Sequence, residues 1–307
     1  MQLQQLRYFL AVAETRHFTR AAEAAHVAQP SLSQQIRSLE RELGAELFHR
    51  TRGNIALTDA GDALLPLARR ILADTESARL AVQETVQLRR GRVRLGAPPS
   101  LCTSLVPDVL RVFRDRYPGV ALAVREGGSR DLVGWLAAGE LDLALIITRP
   151  SGEQSPALAV TELLHEELVL VEAERQARRK VRVAELKGRP LVMFREGYDV
   201  REAALAACRA AGFEPEFAVE GGEMDAVLGL VRAGIGPAVV PGMVAARSGL
   251  AVTAFAGPGL GRTIAVAHGH EVPLTRAAEA LRETLLDHLR DAARSGELPP
   301  GTRLLLP

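Results

Sequence analysis

Gln29, Pro30, Ser31, Ser33, Gln34 and Arg37 fall within one short stretch, and their chemistry is that of base reading. Glutamine can pair with an adenine edge, arginine with guanine, serine with either kind of partner, and proline can offer apolar surface to a thymine methyl. Arg20 lies upstream, and Arg50 and Arg52 lie downstream. Cations so placed can meet phosphates or enter a minor groove. This set can read double-stranded DNA if it occupies the leading end of a helix held in the major groove. A polar helix on the surface of a small helical domain is the plainer alternative.

A second group of segments has a different chemistry. Residues 98–103 (PPSLCT), 127–129 (GGS), 147–149 (ITR), 195–200 (REGYDV) and 220–223 (EGGE) each follow an expected strand, and several open an expected helix. Helix starts present free N–H groups and a positive dipole end, which suit an anion. Pro99, Ser100, Leu101, Ser129, Thr148, Arg195, Tyr198 and Gly222 are therefore candidate contacts for a small molecule. Arg195 or Arg201 is a candidate partner for a carboxylate. Each segment alone is an ordinary strand–helix turn; their convergence at one edge of two lobes makes a site.

Other chemistries find little support. His17, His26, His49, His165, His268, His270 and His288 show no HExxH spacing, and His268-Gly269-His270 lacks a third ligand nearby. No Gly-x-Ser-x-Gly elbow or phosphate-binding loop occurs. No catalytic residue, metal site or cofactor is read from the chain. Cys102 and Cys208 are the only cysteines, which fits a reducing compartment and excludes a disulfide scaffold.

The elements that must hold these residues follow from periodicity. Leu3, Leu6, Phe9, Leu10 and Ala13 make one helical face. A short alanine-rich helix runs from Phe18 to Ala25, and a third opens at Gln29-Pro30-Ser31 and stops at Gly44. Two apolar arms around a Gly53-Asn54 tip predict a hairpin. Thr58 can cap a long helix to about Arg90, with a slightly later start or a kink at Pro66. Leu64, Ala68, Ile71, Thr75, Ala78, Val82 and Thr85 form a heptad seam along it, read as a dimer contact. Beyond Arg92, strands and helices alternate, predicting α/β architecture with largely parallel sheets. The tail from Ser295 reads as irregular.

The chain of 307 residues carries 38 Lys+Arg against 37 Asp+Glu, a net charge of +1, so any basic footprint must be local. The N-terminus does not read as a signal peptide and no run approaches the length of a membrane span, so a cytoplasmic protein without membrane contact is expected.

The pattern Leu6-Arg7-Tyr8-Phe9, Phe18-Thr19-Arg20-Ala21-Ala22, Val27 through Ile36, Leu39-Glu40, Leu43-Gly44, Leu47-Phe48-His49-Arg50 and Leu57 through Gly61 resembles the LysR-type transcription regulator signature. The resemblance is dense to about Gly61 and looser to the end of the chain. It implies a winged helix-turn-helix over residues 1–58, a dimerising linker helix over 59–90 and a regulatory domain over 91–307. The regulatory domain would have two α/β lobes like those of periplasmic binding proteins, lobe one from 92–163 and 262–294 and lobe two from 164–261. The resemblance further implies promoter DNA and a small-molecule effector as partners, RNA polymerase as a candidate contact, and a homodimer assembling to a homotetramer. Ser100 and Ser129 align with positions at which the family's effectors often bind. From Phe194 to Pro241 the chain is similar to the subgroup of the glutamate synthase operon activator, which implies an organic acid or an amino acid as ligand. Two rival readings are a thiol redox sensor and a plain solute-binding protein. Against the first, Cys208 falls near the second cysteine position of peroxide-sensing members, while Asp199 or a neighbour takes the first.

Overall fold

The computed structural model describes residues 1–51, 54–86, 91–148, 157–174, 180–257, 260–270 and 273–306. It divides into two compact units, Met1–Val86 with Ala137–Glu140, and Gln87–Leu136 with Leu141–Pro307.

The first unit opens with three helices, α1 (Leu3–Thr15), α2 (Phe18–Ala24) and α3 (Gln29–Leu43). Leu6, Phe9 and Val12 of α1 meet Ala21 and Ala22 of α2 and Leu32, Ile36 and Leu39 of α3 in one core. The alanines of α2 let its neighbours approach closely. The turns leaving α1 and α2 put Arg16 and His26 in left-handed backbone at φ 50° and 54°, a conformation that usually falls to glycine. Gly44 ends α3 at φ 71°. Strands β1 (Phe48–Thr51) and β2 (Asn54–Leu57) form an antiparallel hairpin pairing Phe48 with Leu57. Phe48 plugs the hairpin into the core, 5.3 Å from the Phe9 ring and 6.0 Å from Phe18. Thr58 then caps α4 (Asp59–Val86), its Oγ1 accepting the Gly61 N–H at 3.1 Å. A Cβ at Gly61 would lie 2.2 Å from the Leu47 carbonyl oxygen, so no side chain fits there.

Helix α4 starts at Asp59 and continues through Pro66, so the proline does not delay its start. Ala68 is fully buried in the first unit's core, with Leu64 and Ile71 packed beside it. The first part of the heptad seam is thus committed within its own chain, because a core of three short helices needs a fourth element to cover it. Ala78 is exposed, and the side chains of Val82 and Thr85 lie outside the described residues.

In the second unit, β3 (Gly91–Ala97), α5 (Pro99–Cys102), α6 (Val106–Arg116), β4 (Val120–Glu126), α7 (Ser129–Ala137) and β5 (Leu143–Thr148) come first. They lead into β6 (Leu158–Glu172), a strand of 15 residues. After it follow β7 (Lys180–Val181), β8 (Leu191–Met193), α8 (Asp199–Ala210), β9 (Phe217–Glu220), α9 (Met224–Arg232), β10 (Ala238–Pro241) and α10 (Gly242–Ser248). The chain closes with β11 (Ala251–Phe255), β12 (Gly261–Gly269), α11 (Arg276–Ser295) and β13 (Thr302–Leu304). The main sheet is ordered β4-β3-β5-β12-β6-β11-β7, with β10 and β13 also on β6.

Strand β6 joins two halves. Its first part pairs with β12, and its last residues pair with β10 and β11. One core clusters around β3, β5, β12, α6 and α11; a separate core clusters around the end of β6, β8, β10, α8 and α9. The sheet is mixed, not largely parallel: β12 runs antiparallel to both β5 and β6. The apolar runs 143–147 and 264–267 read alike whichever way they run, since a strand buried on both faces loses its alternation. The C-terminal tail is also corrected. Residues 302–304 add β13 to β6, and Leu298, Leu304 and Leu306 pack on the first core.

Candidate functional site

The first site is the leading edge of α3. Leu32, Ile36 and Leu39 face inward at helical spacing, which turns Gln29, Pro30, Ser31, Gln34 and Arg37 outward; all five are exposed, while Ser33 is half-buried. Pro30 sits in the first turn, where its missing N–H leaves no bond unmade. Among the described residues, no side-chain hydrogen bond or ion pair engages Gln29, Ser31, Gln34 or Arg37. Their donors and acceptors stay available to a partner. From within, Glu40 braces the helix: its buried carboxylate accepts the Leu47 N–H at 3.1 Å and ties α3 to the hairpin. Arg20 is exposed on α2. Arg50 belongs to β1, but its side chain, like all of Arg52, lies outside the described residues.

The second site lies between the two halves of the second unit. Pro99, Ser100 and Leu101 follow β3 on the short helix α5, and all three are buried. Leu101 is fully enclosed in the first core, so its side chain serves packing and not a ligand. Ser129 opens α7 and Thr148 ends β5, where its hydroxyl reaches the Thr263 carbonyl at 3.5 Å. From the other half, Tyr198 immediately precedes α8 and stacks on Phe194 at 4.7 Å. The Gly222 carbonyl accepts the Arg195 N–H at 3.3 Å, with Gly222 at φ 99°.

Neither expected carboxylate partner is free. The Arg195 Nε donates to Glu223 at 2.5 Å, a bond that raises the Arg195 pKa. Arg201 is buried, donating to the Phe194 carbonyl at 2.8 Å and to Glu220 at 2.9 Å. Both arginines are anchored within their own half.

Glu166 and Arg262 are groups that the sequence did not single out, and Asp199 was not named as a contact. Glu166 and Arg262 face each other across β6 and β12 and are almost wholly buried. Arg262 Nε donates to Glu166 Oε2 at 2.8 Å and Nη1 donates to the Ser100 hydroxyl at 3.0 Å, while Glu166 Oε1 accepts the Met243 N–H at 2.8 Å. Strand register at a separation of 96 residues made this pair, and no local spacing announces it. Asp199 lies in the 195–200 segment already placed at the cleft, at the first position of α8.

Among the described residues, three buried side-chain atoms lack a well-formed hydrogen bond: Tyr198 OH, Glu223 Oε2 and Arg262 Nη2. They belong together, since Arg262 and Glu223 both act electrostatically on Tyr198. Arg262 Nη2 lies 2.8 Å from Glu166 Oε2, so its charge is neutralised although the bond is poorly aligned. Burial pushes the Tyr198 phenol up, so it remains a donor at neutral pH; it lies beside Ser100 without completing a bond of good geometry. Folded proteins pair nearly all buried polar atoms, so these three are exceptions that call for an explanation.

Cys102 is half-buried and Cys208 buried. Burial, reinforced by Glu126, pushes the Cys102 thiol up to about 12, and burial also raises Cys208. The thiolate is the reactive form. Native protein at pH 8 should therefore alkylate at Cys102 more than about tenfold more slowly than a free cysteine, as read by mass spectrometry after iodoacetamide. Labelling at the free rate would show that the pocket around the thiol opens. Among the described residues no group of three His, Cys, Asp or Glu side chains could hold a metal, and no helix is long and apolar enough to cross a membrane.

Residues 3–62 match the family described as bacterial regulatory helix-turn-helix proteins, lysR family, and residues 87–290 match the LysR substrate binding domain. The transcriptional dual regulator GltC of Bacillus subtilis (strain 168) is 35% identical over 243 residues, covering 78% of this chain and 81% of GltC. The DNA-binding transcriptional dual regulator OxyR of Escherichia coli is 28% identical over 292 residues, 93% of this chain and 95% of OxyR. The crystal structure of full-length CbnR complexed with its target DNA aligns at a TM-score of 0.69 and 25% identity, covering 95% of this chain and 100% of CbnR.

Proposed function

Because the chain belongs to the LysR family of DNA-binding transcription regulators with an effector-binding domain, we propose that α3 reads promoter bases and that the cleft of the second unit binds a small organic acid or amino acid. The gathering of Tyr198 OH, Glu223 Oε2 and Arg262 Nη2 carries the ligand part of this reading. Two donors and one acceptor, all buried and ill-satisfied, suit a compact polar molecule bearing a carboxylate. Ser100, Ser129, Tyr198 and Arg262 are the proposed contacts, with Pro99, Thr148, Arg195 and Gly222 framing the cleft.

Gln29, Pro30, Ser31, Ser33, Gln34 and Arg37 are the proposed base-reading residues, and Arg20, Arg50 and Arg52 the phosphate contacts. A ligand shifts DNA binding only by favouring one arrangement of the two halves over another. The remaining length of α4, with Leu67 exposed, is the proposed dimer contact, and pairs of dimers would set recognition helices in successive grooves in the cytoplasm.

The test joins selection of genomic fragments by the purified protein with a thermal-shift screen of small acids and amino acids, since a ligand preferring the folded state raises its stability. One compound should raise the midpoint of unfolding and change the footprint on the selected fragment. A midpoint that rises with an unchanged footprint would separate the cleft from DNA control and sink the coupling. Likeness to OxyR favours a peroxide switch as a second reading. The suppressed thiol ionisation of Cys102 and Cys208 and the carboxylate at Asp199 weigh against it.

A further inference from the structure

Asp199 opens α8, yet its carboxylate turns to the other half of the unit. Asp199 Oδ2 accepts the Ser129 hydroxyl at 2.8 Å and the Ser129 N–H at 3.4 Å. The Ser129 Oγ in turn accepts the Ile147 N–H at 2.9 Å. That bond fills one lone pair and leaves the hydroxyl hydrogen aimed at Asp199. Ser129 is the first residue of α7, a helix of nine residues, so its N–H carries the positive end of the helix dipole. A hydroxyl and a helix-terminal N–H are the donor set that receives a carboxylate. Here the carboxylate that sits there belongs to the chain itself, and no cation among the described residues pairs with it. The adjacent residue, Tyr198, is 2% exposed, and its hydroxyl lies beside Ser100 without a well-formed hydrogen bond.

We propose that Ser129 forms a carboxylate subsite that Asp199 fills as an internal ligand, and that an effector carboxylate must displace Asp199 to bind. This rests on the reading of the cleft as the effector site. It adds that the ligand-free protein is held by its own surrogate, so effector affinity is set partly by competition from within the chain.

Acetate is the probe, a bare carboxylate, with chloride at matched ionic strength as control. Trp135, the single tryptophan, lies on α7 with the Arg125 guanidinium 3.5 Å over its ring, and reports on that helix. In full-length Asp199→Ala, acetate should produce a saturable change in Trp135 emission and a rise in the unfolding midpoint. Half-saturation should come at a concentration about tenfold or more below any effect on the unaltered protein. Adding Ser129→Ala should abolish the response. If Asp199→Ala fails to fold, Asp199→Asn keeps the shape, loses the charge and should show a smaller shift of the same sign. An acetate response equal in the unaltered protein and the variants, or absent from both Asp199 variants, overturns the proposal. Should the Asp199→Ala protein take up acetate while no small acid affects the unaltered protein's footprint, the subsite stands and the effector reading alone falls.

Discussion

Replacing Glu166 with alanine is expected to lower stability by about 3–5 kcal/mol, because it strands a buried guanidinium. Glu166 is fully buried and Arg262 nearly so. The carboxylate serves Arg262 on one oxygen and the Met243 N–H, in the first turn of α10, on the other. Through Arg262 it also holds the Ser100 hydroxyl. Removing it leaves a charge and an N–H without partners in a place where water is excluded, and that desolvation makes up most of the loss. Urea unfolding of the full chain, followed by circular dichroism, measures it. Glu166→Ala combined with Arg262→Leu should recover most of the lost stability, since a buried ion pair replaced by apolar groups is often neutral. The recovered protein would nevertheless have lost the guanidinium beside Tyr198 and should bind no effector. A loss below about 1 kcal/mol for Glu166→Ala would mean that water reaches Arg262, and the cleft would then be an open groove.

This pair also marks the limit of what the sequence discloses. The helices of the first unit were legible because each carries its own apolar period and its own stop: Leu32, Ile36 and Leu39 set one face of α3, and Gly44 ends it. The exposed row opposite follows from the same period, so Gln29 and Arg37 could be placed outward before any coordinates. The family resemblance placed Ser100 and Ser129 at the cleft, and the structure brings each beside a group from the opposite half. Partners were the illegible part. Arg195 and Arg201 looked available because a sequence shows charges but not who neutralises them; Glu223 and Glu220 do so here. Arg262 looked like a lobe boundary and proves to be a buried cation, because strand register pairs residues that the sequence keeps far apart. The tail failed for a related reason: Thr302–Leu304 has no period to read, and only an open position on β6 makes it a strand. The α4 seam read as a dimer contact, but alanine at heptad spacing packs equally well on its own core, and Ala68 does so here.

Gln29→Ala is expected to lower discrimination at one base pair of the site by about 1–3 kcal/mol, while binding to random duplex is nearly unchanged. The side chain is exposed at the leading end of α3 and makes no side-chain bond among the described residues, so removing it should cost little folding stability. Arg20→Ala should behave in the opposite way. Arg20 is exposed on α2 and is a proposed phosphate contact, so affinity should fall alike for every sequence, and the slope of log K against log salt should fall by about 1. Binding-site selection from a random library, repeated at two salt concentrations for each variant, separates the effects. The contrast is the informative part, because a variant that merely loosens the fold would weaken both kinds of binding together. Should Gln29→Ala select the same consensus as the parent at every position, the leading edge of α3 would not lie against the bases, and the exposed row on that helix would need another partner.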